Sequence, residues 1–505
     1  MKLSIQLLLG LVFPAMLAAQ KRYFDPVFPE VKLSTNVCYG KNITIIQPGP
    51  FPPEASPQIL KMDVYEPLGD SANARPLVIL LHGGIFLPPL QNGTCNGTKQ
   101  DGEIVEIAKR LARRGFVVAA MDYRIGWNPL ANTEIGRRFS FVNAVHRAVQ
   151  DSRTCIRFFR KNHAENNQFR IDSAKITLWG TGSGSFISLA SATLDDVNDW
   201  EQPKFHIPNF GPMVQDSING NLDGTSVGLV PPDYLTGHAQ GDTFCIPNHL
   251  GFSSDFALAV NMSEGLLDTT WLQNNDVPIL SFASPSVILG GPISQDPCGM
   301  HCLGCEGFPI PTPVLGEIAG SCVIQALQSQ LGNNEVWLNA VFSDPLSIHA
   351  LSINNGHEGF YPFWGSSELT PWAFSSIPWP NFSCDTNSVE AGIYLDTVLA
   401  YFAPRACALL GLDINCTPVI PVNEPSPINY LLEISPNPST GKTHIVATKS
   451  IFSLELYDSL GNCVQRRTGL NTLEIWLQQE NLPSGIYWLK AYFERGIGVS
   501  KLIWE

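Results

Sequence analysis

Short apolar runs alternate with segments of helical periodicity through most of the chain. Unbroken apolar runs, typical of buried strands, occur at 76–81, 116–121, 176–179, 256–260, 277–282 and 348–353, and residues 60–67 alternate like an edge strand. Apolar residues at helical spacing occur at 103–114, 139–162, 316–330 and 389–402. This alternation predicts an α/β fold with a mostly parallel sheet and helices on both faces.

A composition change near residue 412 divides the chain. Residues 413–430 form a Pro-rich spacer without periodic apolar positions. Beyond it, short strand-like runs at 454–457, 473–477 and 486–492 are separated by turn residues. We expect a large α/β domain at 20–412 and a small all-β sandwich at 431–505.

The amino-terminal residues predict export. Lys2 precedes an apolar run at 7–17 that ends in small residues, which is typical of a signal peptide covering 1–19. No other stretch is long enough to cross a bilayer, so we do not expect an integral membrane protein. The net charge of −14 argues against nucleic acid as a partner, because that requires a basic surface.

Twelve cysteines in an exported chain favour disulfides. Cys298, Cys302 and Cys305 have a spacing that also occurs in iron–sulfur sites, and His301 could add a ligand. The exported location and the Gly- and Pro-rich surroundings instead predict a loop held by disulfides. We expect neither a metal nor a cofactor.

Residues 176–185 resemble a strand that enters the G-x-S-x-G turn of a serine hydrolase, with an offset serine. In the frame Gly180 to Gly184, the nucleophile position holds Gly182. If the turn shifts by one residue, Ser183 becomes the nucleophile, flanked two positions away by Thr181 and Ser185. Both frames remain open at this stage.

The carboxyl-terminal part resembles the sorting domain of the type IX secretion system. The matching motifs are SPNPS at 435–439, LYDSLG at 456–461, LPSGIY at 482–487 and SKLI at 500–503. The resemblance implies interaction with the type IX secretion machinery and delivery to the cell surface or the medium.

Residues 60–405 resemble secreted α/β-hydrolases of the esterase, lipase and feruloyl-esterase-like group. The motifs are LHGG at 81–84, MDYR at 121–124 and AVQDSR at 148–153, together with the turn at 180–184. The resemblance implies an oxyanion hole formed by backbone amides of Gly83, Gly84 and Gly184. It also implies that Asp122 and Arg124 are structural.

The same resemblance implies a catalytic histidine after the last strand and an acid after the strand before it. His357 follows the run at 348–353 and is our candidate base. No acid lies close behind the run at 277–282, so Asp296 and Asp344 are the substitutes.

Two functions follow, and we favour the first. One is a carboxylic-ester hydrolase in which Ser183 forms an acyl-enzyme and His357 acts as base. The other is an inactive hydrolase scaffold that binds a surface ligand, with the aromatic segments at 360–364 and 372–379 around its pocket. The partner is accordingly a small-molecule ester or a surface ligand.

Overall fold

The chain folds into two compact units, Met1–Pro418 and Val419–Glu505. The predicted signal peptide and all but Asp413 of the predicted spacer lie outside the described residues. A computed structural model describes residues 21–46, 54–89, 92, 97–231, 240–263, 265–283, 298–303, 313–340, 342–363, 388–413, 432–458, 463–467, 469–479, 482–493 and 497–504.

An eight-stranded sheet organises the first unit, in the order β1-β2-β4-β3-β5-β6-β7-β8. The strands are β1 (Val31–Ile46), β2 (Glu54–Pro67), β3 (Arg75–Leu81), β4 (Val117–Met121), β5 (Ile171–Thr181), β6 (Leu258–Met262), β7 (Ile279–Ala283) and β8 (Phe360–Pro362). Strand β2 is antiparallel to β1 and β4, and the other neighbours are parallel. The predicted mostly parallel sheet is confirmed.

Helices cover both faces of this sheet. They are α1 (Gly102–Ala112), α2 (Glu134–Glu165), α3 (Ser183–Thr193), α4 (Ser321–Gln330), α5 (Glu335–Ala340), α6 (Pro345–Ile353) and α7 (Ser388–Leu410). Leu77 and Ile79 of β3 pack in the cluster that includes α2 and α3. Val78 and Leu80 face the opposite cluster, which includes α1 and α7. Coverage of both faces explains why β3 is an unbroken apolar run.

Short elements complete the first unit. Single helical turns occur at Val197–Glu201, Pro203–Phe205, Asp216–Asn219 and Thr269–Trp271. Three two-stranded ribbons pair His206–Ile207 with Gly211–Pro212, Gly228–Leu229 with Thr243–Cys245, and Met300–Leu303 with Leu315–Ala319. The last ribbon includes residues 316–319, which were predicted as the start of a helix at 316–330. The helix begins at Ser321 instead.

The predicted strand at 348–353 is wrong, because these residues belong to α6. Asp344 caps this helix by accepting a hydrogen bond from the Ser347 N–H at 3.0 Å, and Pro345 occupies its first turn. A short apolar run does not by itself distinguish a strand from a helix. The last strand is instead β8, whose three residues are too few to give a periodic signal.

Helix α7 is long and apolar enough to cross a membrane, judged by length and composition alone. In the folded domain, 67% of its apolar window is buried. Its Leu395, Leu399 and Phe402 belong to the core cluster on the α1 face of the sheet. It therefore packs as a core helix of the first unit.

Two of the three clustered cysteines are in disulfides. Cys298 bonds to Cys322, and Cys302 is also disulfide-bonded. Cys305 lies outside the described residues. The predicted disulfide-bonded loop is therefore present.

The second unit is the predicted small all-β sandwich. Its strands are β9 (Leu432–Ser435), β10 (Lys442–Ile451), β11 (Ser453–Tyr457), β12 (Cys463–Arg467), β13 (Thr472–Gln478), β14 (Gly485–Tyr492) and β15 (Ile497–Trp504). They form two sheets, β9-β10-β13 and β12-β11-β14-β15. Leu456, Leu477 and Leu489 contribute to one core between them.

Candidate active site

Gly182 forms the apex of the turn between β5 and α3. Its backbone angles, φ 48° and ψ −129°, lie outside the regions that residues with side chains commonly adopt. A Cβ on Gly180 would lie 2.2 Å from the Gly184 carbonyl oxygen, and one on Gly184 would lie 2.2 Å from the Leu81 carbonyl oxygen. Neither flanking position tolerates a side chain. The turn therefore adopts the frame Gly180 to Gly184 with Gly182 at its apex.

The apex itself has room for a side chain. A Cβ on Gly182 would meet only the Cα of Gly83, at 3.6 Å, among the described residues within 4 Å. This distance is an ordinary van der Waals contact. The space around the apex therefore admits a side chain, although the backbone angles of Gly182 would strain one.

Ser183, the candidate nucleophile, is the first residue of α3 and is only 4% exposed. Its Oγ accepts a hydrogen bond from the backbone N–H of Ile85 at 2.8 Å. The hydroxyl is thus directed at the loop that follows β3. Ser183 therefore contacts the loop that contains Gly83 and Gly84. It does not occupy the apex of the turn, which is Gly182.

The loop after β3 has a strained backbone. Gly84, Ile85 and Phe86 have φ angles of 100°, 51° and 56°. The Trp127 indole donates to the Ile85 carbonyl oxygen at 2.7 Å, and the Gly126 N–H donates to the Phe86 carbonyl oxygen at 2.7 Å. Left-handed conformations of residues with side chains cost about 1–3 kcal/mol each and persist where surrounding contacts fix them.

Three backbone N–H groups at this junction belong to Gly83, Gly84 and Ser183. Within the described part of the chain, none of them donates a hydrogen bond. The Ser183 amide also lies at the amino terminus of α3, where the helix dipole favours negative charge. In the observed frame the amide after the apex belongs to Ser183, whereas Gly184 packs against the Leu81 carbonyl. The arrangement can accept an anionic or carbonyl oxygen.

His357 does not lie at this junction. It precedes β8, and the register pairs the first residue of β8, Phe360, with Ser281 of β7. Strand β8 is three strands from β5, about 14 Å across the sheet, and His357 lies toward the opposite end of β8 from the turn. Its N–H donates to the Asn354 side chain at 3.1 Å.

Asp344, one of the two acid candidates, does not lie at the junction between the turn and the loop after β3. Asp344 is the cap of α6 and also accepts a hydrogen bond from the Ser347 hydroxyl at 2.6 Å. Asp296 lies outside the described residues. The structure therefore brings together the turn and the loop after β3, without the predicted base and Asp344.

Family models match part of each unit. Residues 62–218 match the BD-FAE family, and residues 433–505 match the secretion system C-terminal sorting domain. The chain joins an esterase-like α/β-hydrolase domain to a type IX sorting domain. The sorting domain indicates export to the cell surface or the extracellular space, as predicted from the sequence.

Solved esterase structures resemble the hydrolase domain at low identity. Esterase 2 of Thermogutta terrifontis, phosphorylated by paraoxon, is 16% identical over 51% of this chain and 72% of its own, with a TM-score of 0.26. A hyperthermophilic esterase from the archaeon Pyrobaculum calidifontis is 20% identical over 33% of this chain and 38% of its own, with a TM-score of 0.20. No curated protein matches the chain significantly.

The segment that follows β8, the last described strand of the large sheet, lacks a histidine. From Phe363 to Asn387 the sequence contains three tryptophans, Trp364, Trp372 and Trp379, and no histidine. The sequence predicts the run at 348–353 as the last strand and therefore places the base at His357. The sequence after β8 is rich in aromatic residues. Of the predicted aromatic pocket segments, Phe360 and Tyr361 are buried, and 364 and 372–379 lie outside the described residues.

Sequence reasoning also missed a buried carboxyl group beside the turn. Glu103, in the first turn of α1, is 7% exposed and lies beside Thr181, the last residue of β5. Burial, reinforced by the neighbouring Asp101, raises the pKa of Glu103 to about 8. A glutamate within an amphipathic helix gives no sequence signal of this kind, because its burial depends on the packing of α1 against the sheet.

Proposed function

We propose that the hydrolase domain is a non-catalytic binding protein at the cell surface. The observation that carries this proposal is Gly182 at the apex of the turn. A glycine offers no nucleophile, and removal of the nucleophile from a serine protease lowers turnover by about 10⁶-fold. The segment after β8, where the fold family carries its base, contains no histidine.

The serine beside the apex does not replace the nucleophile. Its Oγ accepts the Ile85 N–H and lies at the start of α3, in a frame that Gly180 and Gly184 hold in place. His357, the predicted base, precedes β8 and therefore lies toward the opposite end of the parallel strands from the turn. Activation of a serine requires a base within hydrogen-bonding distance.

The ligand class follows from the groups that remain. The amides of Gly83, Gly84 and Ser183 favour an oxygen atom that carries negative charge, so a carboxylate or an ester carbonyl suits them. Hydrogen bonds to a charged group contribute about 1.5–3 kcal/mol each. The strained loop at 84–86 is consistent with a retained binding role, because strain persists at functional positions.

The test compares wild-type protein with Ser183→Ala. Neither protein should react with a fluorophosphonate probe or hydrolyse p-nitrophenyl acetate and butyrate. In wild-type protein labelled with ¹⁵N-glycine, acetate, butyrate and ferulate should shift the amide resonances of Gly83 and Gly84. Probe labelling or hydrolysis that disappears in Ser183→Ala would instead establish the carboxylic-ester hydrolase with Ser183 as its nucleophile.

A further inference from the structure

The sorting domain exposes one tryptophan on each outer face of its sandwich. Trp488 of β14 is 49% exposed, and Trp476 of β13 is 50% exposed. Their sequence neighbours Leu489 and Leu477 point into the shared core, so the two indoles face opposite sides of the sandwich. Large exposed aromatic groups on a small domain are typical of interaction surfaces.

The two tryptophans differ in what covers them. The Trp476 ring stacks on His444 with centroids 4.4 Å apart, and the Lys442 ammonium lies 4.5 Å from its centroid. Trp488 has no ring partner and no cation over its face among the described residues of the domain. Of the two tryptophans, Trp488 is therefore the one whose ring no described aromatic or cationic group covers.

Tyr457 lies beside Trp488, and Tyr492 lies further along the same face of the sheet. Tyr457 lies directly opposite Trp488 in the register of β11 and β14. The hydroxyl groups of Tyr457 and Tyr492 each donate to Glu455 Oε2 at 2.6 Å, and Arg466 contacts the other carboxylate oxygen at 2.8 Å. This shared acceptor fixes both tyrosines before binding, which lowers the entropy cost of association.

We propose that this surface docks the chain onto a protein of the type IX secretion machinery. We define the Trp488 face as Tyr457, Ile486, Trp488 and Tyr492, which extend over about 20 Å along β14. Tryptophan, tyrosine and arginine are the residues that dominate protein–protein binding energy. Lys501 lies opposite Trp488 in the register, so the partner surface should carry an acidic group at this position.

The test measures export of the full chain in a bacterium that has this secretion system. Trp488→Ala should lower the ratio of exported to periplasmic protein by about tenfold or more, as expected for loss of a central tryptophan. The matched variant Trp476→Ala should be exported like wild-type protein. Ile486→Lys, which changes an exposed residue on the same face, should reproduce the export defect. Thermal melting of each purified chain confirms folding.

The contrary outcomes are distinct. Normal export of Trp488→Ala and Ile486→Lys would overturn the assignment, even if the variants lose binding to a surface polysaccharide. Equal losses for Trp488→Ala and Trp476→Ala would also overturn it. A chain without residues 432–505 provides the lower limit of export, and its normal export would refute docking through this domain.

Discussion

Ser183 and Ile85 are joined by a hydrogen bond in which the Ile85 N–H donates to Ser183 Oγ at 2.8 Å. Ile85 has a φ of 51°, a conformation that a β-branched side chain rarely adopts. The serine hydroxyl therefore satisfies a backbone donor within a strained loop. We therefore expect the Ser183 hydroxyl to contribute measurably to the folding stability of the hydrolase domain.

Ser183→Ala should destabilise the hydrolase domain by about 1–3 kcal/mol, because the Ile85 N–H loses its acceptor in a largely buried location. Urea unfolding would measure the change. Ser352→Ala removes a hydroxyl on the exposed side of α6 and should change stability by less than about 0.5 kcal/mol. An unchanged midpoint for Ser183→Ala would show that the contact contributes nothing.

Gly182→Ser places a hydroxyl at the apex, where the nearest atom to the new Cβ is 3.6 Å away. The variant should fold, with a loss of about 1–2 kcal/mol for the left-handed backbone. It should still fail to react with a fluorophosphonate, because no histidine follows β8 in the segment up to Asn387. Stoichiometric labelling would reveal a base that we have not identified.

The flanking glycines should be far less tolerant than the apex. In Gly184→Ala the new Cβ would lie 2.2 Å from the Leu81 carbonyl oxygen, and backbone atoms cannot move aside as a side chain can. We expect a loss of about 3 kcal/mol or more, against about 1–2 kcal/mol for Gly182→Ala. Denaturant unfolding of both variants gives the comparison. Equal losses would place the apex elsewhere in the turn.

The sheet could be predicted because both faces of its central strands are covered. Residues 76–81 and 116–121 consequently read as continuous apolar runs, and helices with a single apolar face separate them. Strand β8 could not be predicted, since three residues carry no period. The continuous apolar pattern at 348–353 was instead predicted as the last strand. Asp344 and Pro345, which are typical helix-start residues, indicate the helix that the structure shows there.

The site was predicted less completely than the sheet, because part of it was placed relative to the last strand, which the sequence did not reveal. The loop at Gly83 and Gly84 follows a strand that the sequence identifies, and the structure places this loop against the turn. The prediction of His357 depends on a strand at 348–353, and these residues form α6 instead. The choice between Gly182 and Ser183 depended on contacts of Gly180 and Gly184 with distant carbonyl groups, which sequence spacing cannot reveal.

Arg124 and Asp151 form a buried ion pair, with Nε and Oδ1 2.9 Å apart. Arg124→Met leaves the Asp151 carboxylate buried without its partner and should cost about 3–5 kcal/mol. The double variant Arg124→Met with Asp151→Leu should recover part of that loss. For the exposed pair of Lys161 and Glu165, Lys161→Met should cost less than about 1 kcal/mol. Guanidinium unfolding provides the measurement.

Glu103 gives the domain a stability that decreases with rising pH. Its pKa is about 8 in the folded chain, against an ordinary value of 4.5. Between these two values the unfolded chain has released a proton that the folded chain still holds. The contribution of Glu103 to stability is therefore greatest below pH 4.5, falls as the pH rises toward 8, and does not fall further above pH 8.

Glu103→Gln should remove this dependence, because glutamine stays neutral in both states. The variant should gain stability over wild-type protein between pH 5 and pH 8, as measured by urea unfolding at both values. Glu335→Gln changes an exposed glutamate in the first turn of α5 and is the matched control. Parallel pH profiles for wild-type protein and Glu103→Gln would mean that the carboxyl group is already ionised in the folded chain. Burial would then not raise the pKa of Glu103, and water would have to reach its carboxyl group beside Thr181.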